Sequence, residues 1–130
     1  VEVWILGSGK EAGLGSDIAR DAGGAGAYNL CGQTSLVEAV ELLALAGVAV
    51  SNDSGLMHVA AAVGTHIVAI YGSSTPDFTP PLTPNATIHY HRLDCSPCFE
   101  RTCPLQHLDC LNGISVDEVF SGVAQRLGLT

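Results

Sequence analysis

The stretch SNDSGLMHVAAA, Ser51 to Ala62, follows the apolar run Val48–Val50 and precedes a second one, His66–Tyr71, that ends at Gly72. The three pieces predict a strand, a helix over Leu56–Val63 and another strand, the repeat from which open parallel sheets are built. A loop that only reversed the chain would need a Gly or an Asn. This one clusters Asn52, Asp53, Ser54 and Gly55, and puts His58 in the first turn of the helix. Such a loop looks made to hold something. In an open α/β sheet, ligands bind beyond the carboxyl ends of the strands, which is where Ser51–Gly55 is expected.

Working outward, Val3–Leu6 reads as a short buried strand ending at Gly7. A Gly-rich loop, a helix near Ala12–Ala22 and a strand near Tyr28–Leu30 follow. Ser35 opens another helix, with Glu38 three residues on to complete a capping box and Gly47 placed to close it. Its residues Leu36, Val37, Ala39, Val40, Leu42, Leu43 and Leu45 leave almost no polar face, so this helix is expected to be covered on more than one side. From Ser73 to Gly113 the pattern stops: all 6 prolines and four of the 5 cysteines lie there. A second capping box, Ser115 to Glu118, opens a last helix with Val119, Phe120, Val123, Ala124 and Leu127 on one face. The expected fold is α/β: a Rossmann-like, open, mostly parallel sheet with helices on both faces. We expect one domain over residues 1–130, with a Pro/Cys-rich insertion at 73–113 and a C-terminal helix at 114–130.

With 130 residues, 47% of them hydrophobic and only 14% charged, the chain can bury a real core and does not resemble a disordered segment. Its net charge of −8, with five Lys and Arg, excludes a nucleic-acid surface, which needs a basic patch. An anionic small molecule remains compatible, provided that backbone N–H groups bind it. No apolar run is long enough to span a bilayer. The chain opens in VEVWILG without a start Met or leader, and reads as a piece of a longer protein.

Two familiar phosphate motifs fail at GSGKEAGLG, Gly7 to Gly15. A dinucleotide fingerprint needs an acid about twenty positions later on the next strand, and Tyr28–Cys31 has none. A P-loop fails because Trp4 takes the first Gly position and Glu11 follows Lys10. Glu11 can still accept from a sugar hydroxyl. At Ser51–Gly55 the position is stronger, since a helix N-terminus offers free N–H groups and a positive dipole end to a phosphate. Gly55 admits close approach, while Ser54 and His58 can donate. Asp53 would repel phosphate, so capping the helix or accepting from a hydroxyl suits it better. A plain Asp/Ser cap with a surface His58 explains the same pattern equally well.

The run NLCGQTSLVEAVELLALAGVAVSNDSGLMHVAAAVGTHIVAIYGSSTPDFTPPL, above all DSGLMHVAAA and AIYGSSTPDFTPPL, resembles the donor-binding half of the ADP-heptose:lipopolysaccharide heptosyltransferases of glycosyltransferase family 9, heptosyltransferase II-like members in particular. The resemblance implies the C-terminal half of a GT-B glycosyltransferase, in which two Rossmann-like domains face a cleft and no metal cofactor is required. It implies inverting transfer of heptose from ADP-heptose to the lipopolysaccharide inner core, in the cytoplasm or peripherally at the inner membrane. By position, Asp53, Ser54, Gly55, Leu56 and His58 would contact sugar and diphosphate, Thr34 would line the adenine pocket, and Glu11 would bind the ribose. The family's acceptor domain, with its catalytic base, is expected outside this sequence, so no residue here is assigned as catalytic. A sugar-nucleotide epimerase, which also sets a phosphate-binding turn before a helix, is the competing enzyme reading.

The segment CSPCFERTCPLQHLDC brings together Cys95, Cys98, Cys103 and Cys110, with His107 among them. C-x2-C followed by two more thiols suits a structural zinc site. Reduced thiols, disulfides and an iron–sulfur cluster are the other readings, and a metal-stabilised interaction module is the non-enzymatic alternative for the chain. The loop is expected to be independent of the Ser51–Ala62 motif. Cys31 stands apart and reads as a small buried residue.

Overall fold

The computed structural model describes Val1–Leu129. Every strand pairing is parallel, as the alternation of strands and helices predicts. The strands form two hydrogen-bonded sheets, however, and the chain divides into two compact units, Val1–Leu42 and Leu43–Thr130, where composition predicts one.

In the first unit β1 (Val3–Ile5) pairs with β2 (Ala27–Asn29), Trp4 opposite Tyr28. A 3-10 turn over Gly9–Glu11 leads into α1 (Ala12–Asp21). Gly15 of α1 meets β2 so closely that a Cβ there would collide with the Asn29 side chain and lie 3.0 Å from Cys31 Sγ. Asn29 cannot easily yield. Its Nδ2 donates to Ala12 O at 2.9 Å and Ser16 Oγ at 3.0 Å, and its Oδ1 accepts from Cys31 N at 3.1 Å. Cys31 is buried, as expected. The box at Ser35 forms as read: Ser35 N donates to Glu38 Oε2 at 2.7 Å and Glu38 N to Ser35 Oγ at 3.2 Å. It starts α2 (Leu36–Leu45), of which Ala39 and Leu43 are buried. The expected covering on several sides is not supplied by the described residues, because Leu36, Val37 and Leu45 are exposed.

The second unit is built on β4 (Ile67–Tyr71), which lies between β3 (Ala49–Asn52) and β5 (Ala86–Tyr90). The third strand lies within residues 73–113, where the sequence pattern of strands and helices stops. ATIHY is too short and too polar to declare itself, and its pairing with the buried β4 makes it a strand. Helices cover both faces, which the alternation of side chains allows. Tyr71, on one face, reaches Met57 of α3 (Gly55–Ala62). Val68, on the other, lies under Gly122 of α5 (Val116–Leu127), where a Cβ would stand 3.5 Å from the valine. A one-turn helix, α4 (Asp109–Asn112), precedes α5.

The box at Ser115 also forms, with Ser115 N donating to Glu118 Oε2 at 2.8 Å. His91 Nε2 stands 3.0 Å from the other oxygen of Glu118. The Ser115 N–H first, and then His91, hold the Glu118 carboxyl down at about 2. A value below the ordinary one stabilises the fold fully above about pH 4.5, and the contribution fades as pH falls toward 2. Glu118→Gln should therefore lower the melting temperature at neutral pH and flatten its further loss over that window.

The two buried helical glycines give opposite expectations for one substitution. Gly15→Ala forces a methyl against a pinned Asn29 and should destabilise by about 1–3 kcal/mol. Gly122→Ala meets ordinary contacts of 3.4 Å or more and should be neutral or stabilising, by up to about 1 kcal/mol from helix propensity. Thermal melts of both variants check the pair.

Candidate functional site

β3 ends at Asn52, and the next two residues swing the chain into α3. Ser54 is the N-cap: its backbone is extended and its Oγ accepts from Met57 N at 3.4 Å. Ser51 Oγ lies 3.2 Å from Ser54 Oγ and donates to Asn52 O at 2.9 Å, so both hydroxyls are held at the turn. The cap thus falls to Ser54, and Asp53 is engaged within the protein. Its Oδ2 accepts from Thr79 Oγ1 at 2.7 Å. Its Oδ1 is 3.8 Å from His58 Nε2, beyond a hydrogen bond.

Thr79 was not singled out by sequence, and it is the partner that fixes the acid. It lies 26 positions away in the loop after β4, a separation that no local pattern reveals. That loop is itself anchored. Buried Tyr71 donates to Thr79 O at 2.6 Å, and burial, followed by the Asp53 charge, pushes its hydroxyl up to about 12, so it remains a donor. Asp77 is gripped by Arg92 through bonds of 2.8 and 3.0 Å, and the guanidinium lies 4.9 Å from the centre of the Tyr90 ring. Arg92 first among its partners lowers the Asp77 carboxyl.

Around the start of α3 the surface is open. Gly55 and His58 are exposed, Asp53, Ser54 and Leu56 half-buried, and a Cβ on Gly55 would meet nothing within 4 Å. Among the described residues Gly55 therefore answers no packing need. Of the residues singled out by sequence, Asp53, Ser54, Gly55, Leu56 and His58 stand together here. Glu11 and Thr34 belong to the first unit. Glu11 Oε2 accepts from Ser8 N at 2.5 Å and Ser8 Oγ at 2.9 Å, which lowers its pKa, the backbone bond acting most. It is a capping carboxylate with its second oxygen uncommitted by these bonds. Thr34 is half-buried just before the α2 capping box.

The cysteine loop is joined to the segment that follows β4. Ser96 Oγ donates to Gly72 O at 2.5 Å, Phe99 N donates to Ser73 O at 2.7 Å, and the Phe99 ring stacks on Phe78 with centroids 5.6 Å apart. Removing the Thr79 hydroxyl should cost about 1 kcal/mol in Thr79→Val, with Thr79→Ser nearer the parent, as thermal melts would show. Greater protease access at Ser73–Pro81 in the valine variant should accompany that loss.

The strand, turn and helix that carry these residues recur in known proteins. The sequence pattern of glycosyltransferase family 9 (heptosyltransferase) matches residues 1–109. Lipopolysaccharide heptosyltransferase 2 of Salmonella typhimurium is 46% identical over 90 residues, 67% of this chain and 26% of the relative. Lipooligosaccharide heptosyltransferase 2 of Haemophilus influenzae is 55% identical over 60 residues, 46% of this chain and 17% of the relative. The solved E. coli ADP-heptose LPS heptosyltransferase II aligns with a TM-score of 0.67 at 36% identity, over 95% of this chain and 38% of that one. A family 9 glycosyl transferase from Veillonella parvula shares the fold at a TM-score of 0.77 and 19% identity, over 99% of this chain and 37% of that one. The chain thus spans about a quarter of the Salmonella relative. With most of its length matched by the family pattern, and the parallel α/β arrangement found again in solved members, the chain belongs to glycosyltransferase family 9, the heptosyltransferase family.

Proposed function

We propose that the turn Asp53–His58 binds the diphosphate and sugar of ADP-heptose, in a protein that transfers heptose to the lipopolysaccharide inner core with inversion. The observation that carries this reading is the open backbone at Gly55, set at a helix N-terminus between Ser54 and His58. The first N–H groups of a helix have no intrahelical partner, and together with the dipole they favour a diphosphate. In the displacement, the acceptor hydroxyl oxygen bonds to the anomeric carbon as the bond from that carbon to the diphosphate oxygen breaks. Negative charge then grows on the departing ADP, and these N–H groups and His58 stand ready to stabilise it, without a metal cofactor. Asp53, held by Thr79, keeps Oδ1 available to a sugar hydroxyl instead of facing phosphate. Leu56 is proposed to contact the same ligand. Glu11 is proposed as the ribose acid and Thr34 as a lining residue of the adenine pocket. The proton of the acceptor passes to a base that we do not assign to this chain. The reaction is placed in the cytoplasm, peripheral to the inner membrane; among the described residues no helix is long and apolar enough to cross a membrane.

Calorimetry of the full-length protein should show binding of ADP in preference to UDP. Gly55→Ala should leave the melting temperature intact, because the new methyl meets no protein atom, and should lower kcat/KM for ADP-heptose by about tenfold or more. His58→Ala, which removes a charge-assisted bond worth about 1.5–3 kcal/mol, should do the same. Folded variants with parent kinetics would make the turn an ordinary cap. Preference for UDP would point instead to an epimerase-like protein.

A further inference from the structure

Cys95, Cys98, Cys103 and Cys110 all line one cavity of about 90 Å³ between the end of β4 and α4. All four are free, half-buried thiols. Between the first and last of them lie Phe99, Gln106 and Leu108, the only non-glycine residues with positive φ among the described residues, at 58°, 60° and 56°. Left-handed backbone is costly for side chains of this size and persists where the surroundings impose it. Here the chain curls back on itself, with Gln106 N donating to Cys103 O at 3.1 Å and Leu111 N to Leu108 O at 2.9 Å. Cys110 is brought back beneath β4 by α4, where a Cβ on Gly72 would stand 3.2 Å from its sulfur. His107 also lines the cavity, but its Nδ1 already accepts from Asp109 N at 2.9 Å. The donor set is therefore four sulfurs.

We propose that Cys95, Cys98, Cys103 and Cys110 are the ligands of a single structural zinc ion that orders the loop behind Gly72 and Ser73. Among the described residues no group of three or more His, Cys, Asp or Glu is yet gathered to hold an ion. The four sulfurs share a void without meeting at a point, and an ion must draw them in to Zn–S distances of about 2.3 Å. A change of χ1 rotamer moves a cysteine sulfur by up to about 3 Å, so side chains can make that closure without refolding the loop. On binding, the four S–H protons pass to solvent and no electrons are exchanged. Zinc favours this soft, four-thiolate tetrahedral set, and C-x2-C supplies its first half as one knuckle.

The test uses the untagged protein purified under reducing conditions. Native mass spectrometry and elemental analysis should find about one zinc per chain. The four thiols should resist alkylation until a strong chelator is added, and chelation should open Leu93–Gly113 to protease. Cys31→Ser should keep its zinc. Cys98→Ser should lose it, and if that variant fails to fold the metal count of the parent protein still decides. Protein made with ample zinc that carries far less than one ion per chain, with all four thiols freely alkylated, overturns the proposal. So does a mass lowered by disulfide formation, or iron with acid-labile sulfide in place of zinc.

Discussion

With β3 on one edge and β5 on the other, β4 has hydrogen-bond partners on both sides and helices on both faces. Ile67, Val68, Ala69 and Tyr71 are almost wholly removed from water, and the loop that reaches the candidate site leaves from this strand's carboxyl end. A strand so enclosed cannot shift register by one residue without turning its apolar side chains against the wrong layer. The positions of Tyr71 and of the loop after it are thereby set. Tyr71 is buried to its hydroxyl, and a buried hydroxyl needs a partner. Its bond to Thr79 O serves the core and places the residue that holds Asp53.

Asp53 faces a conflict that its surroundings resolve. A carboxylate beside a helix N-terminus would compete with a phosphate for the same N–H groups. Ser54 takes the cap, and Thr79 Oγ1 donates to one oxygen of Asp53. The same loop meets the cysteine segment through Ser73 and through the stack of Phe78 on Phe99.

What was legible in the sequence was local. The boxes at Ser35 and Ser115 and the helix after Gly55 depend on residues three or four apart, and all were readable. Strand β5 was not, because Ala86–Tyr90 lies among prolines and cysteines and owes its conformation to a partner strand nineteen positions away in register, Ile67 opposite Ala86. Thr79 escaped notice for the same reason. The apolar surface of α2 was read correctly as a sequence feature, but no described residue covers Leu36, Val37 and Leu45. The division near Leu42 also left no mark in the sequence, since α2 runs through it as one continuous apolar helix.

Glycines separate what this fold needs from what a ligand would need. At Gly15 the reason lies within the chain: Asn29 and Cys31 leave no room for a methyl group. At Gly72 it lies in the packing of Cys110 and Leu111 against the end of β4. Gly55 has neither crowded neighbours nor a left-handed backbone, and it begins a helix, where a residue with a side chain would ordinarily serve better. A position that costs the helix some propensity without serving its packing calls for an explanation outside the chain. The space above Gly55, flanked by the Ser54 hydroxyl and the His58 ring, is where that explanation has to fit, and a phosphate approaching the backbone is the kind of group that a Cβ would keep away.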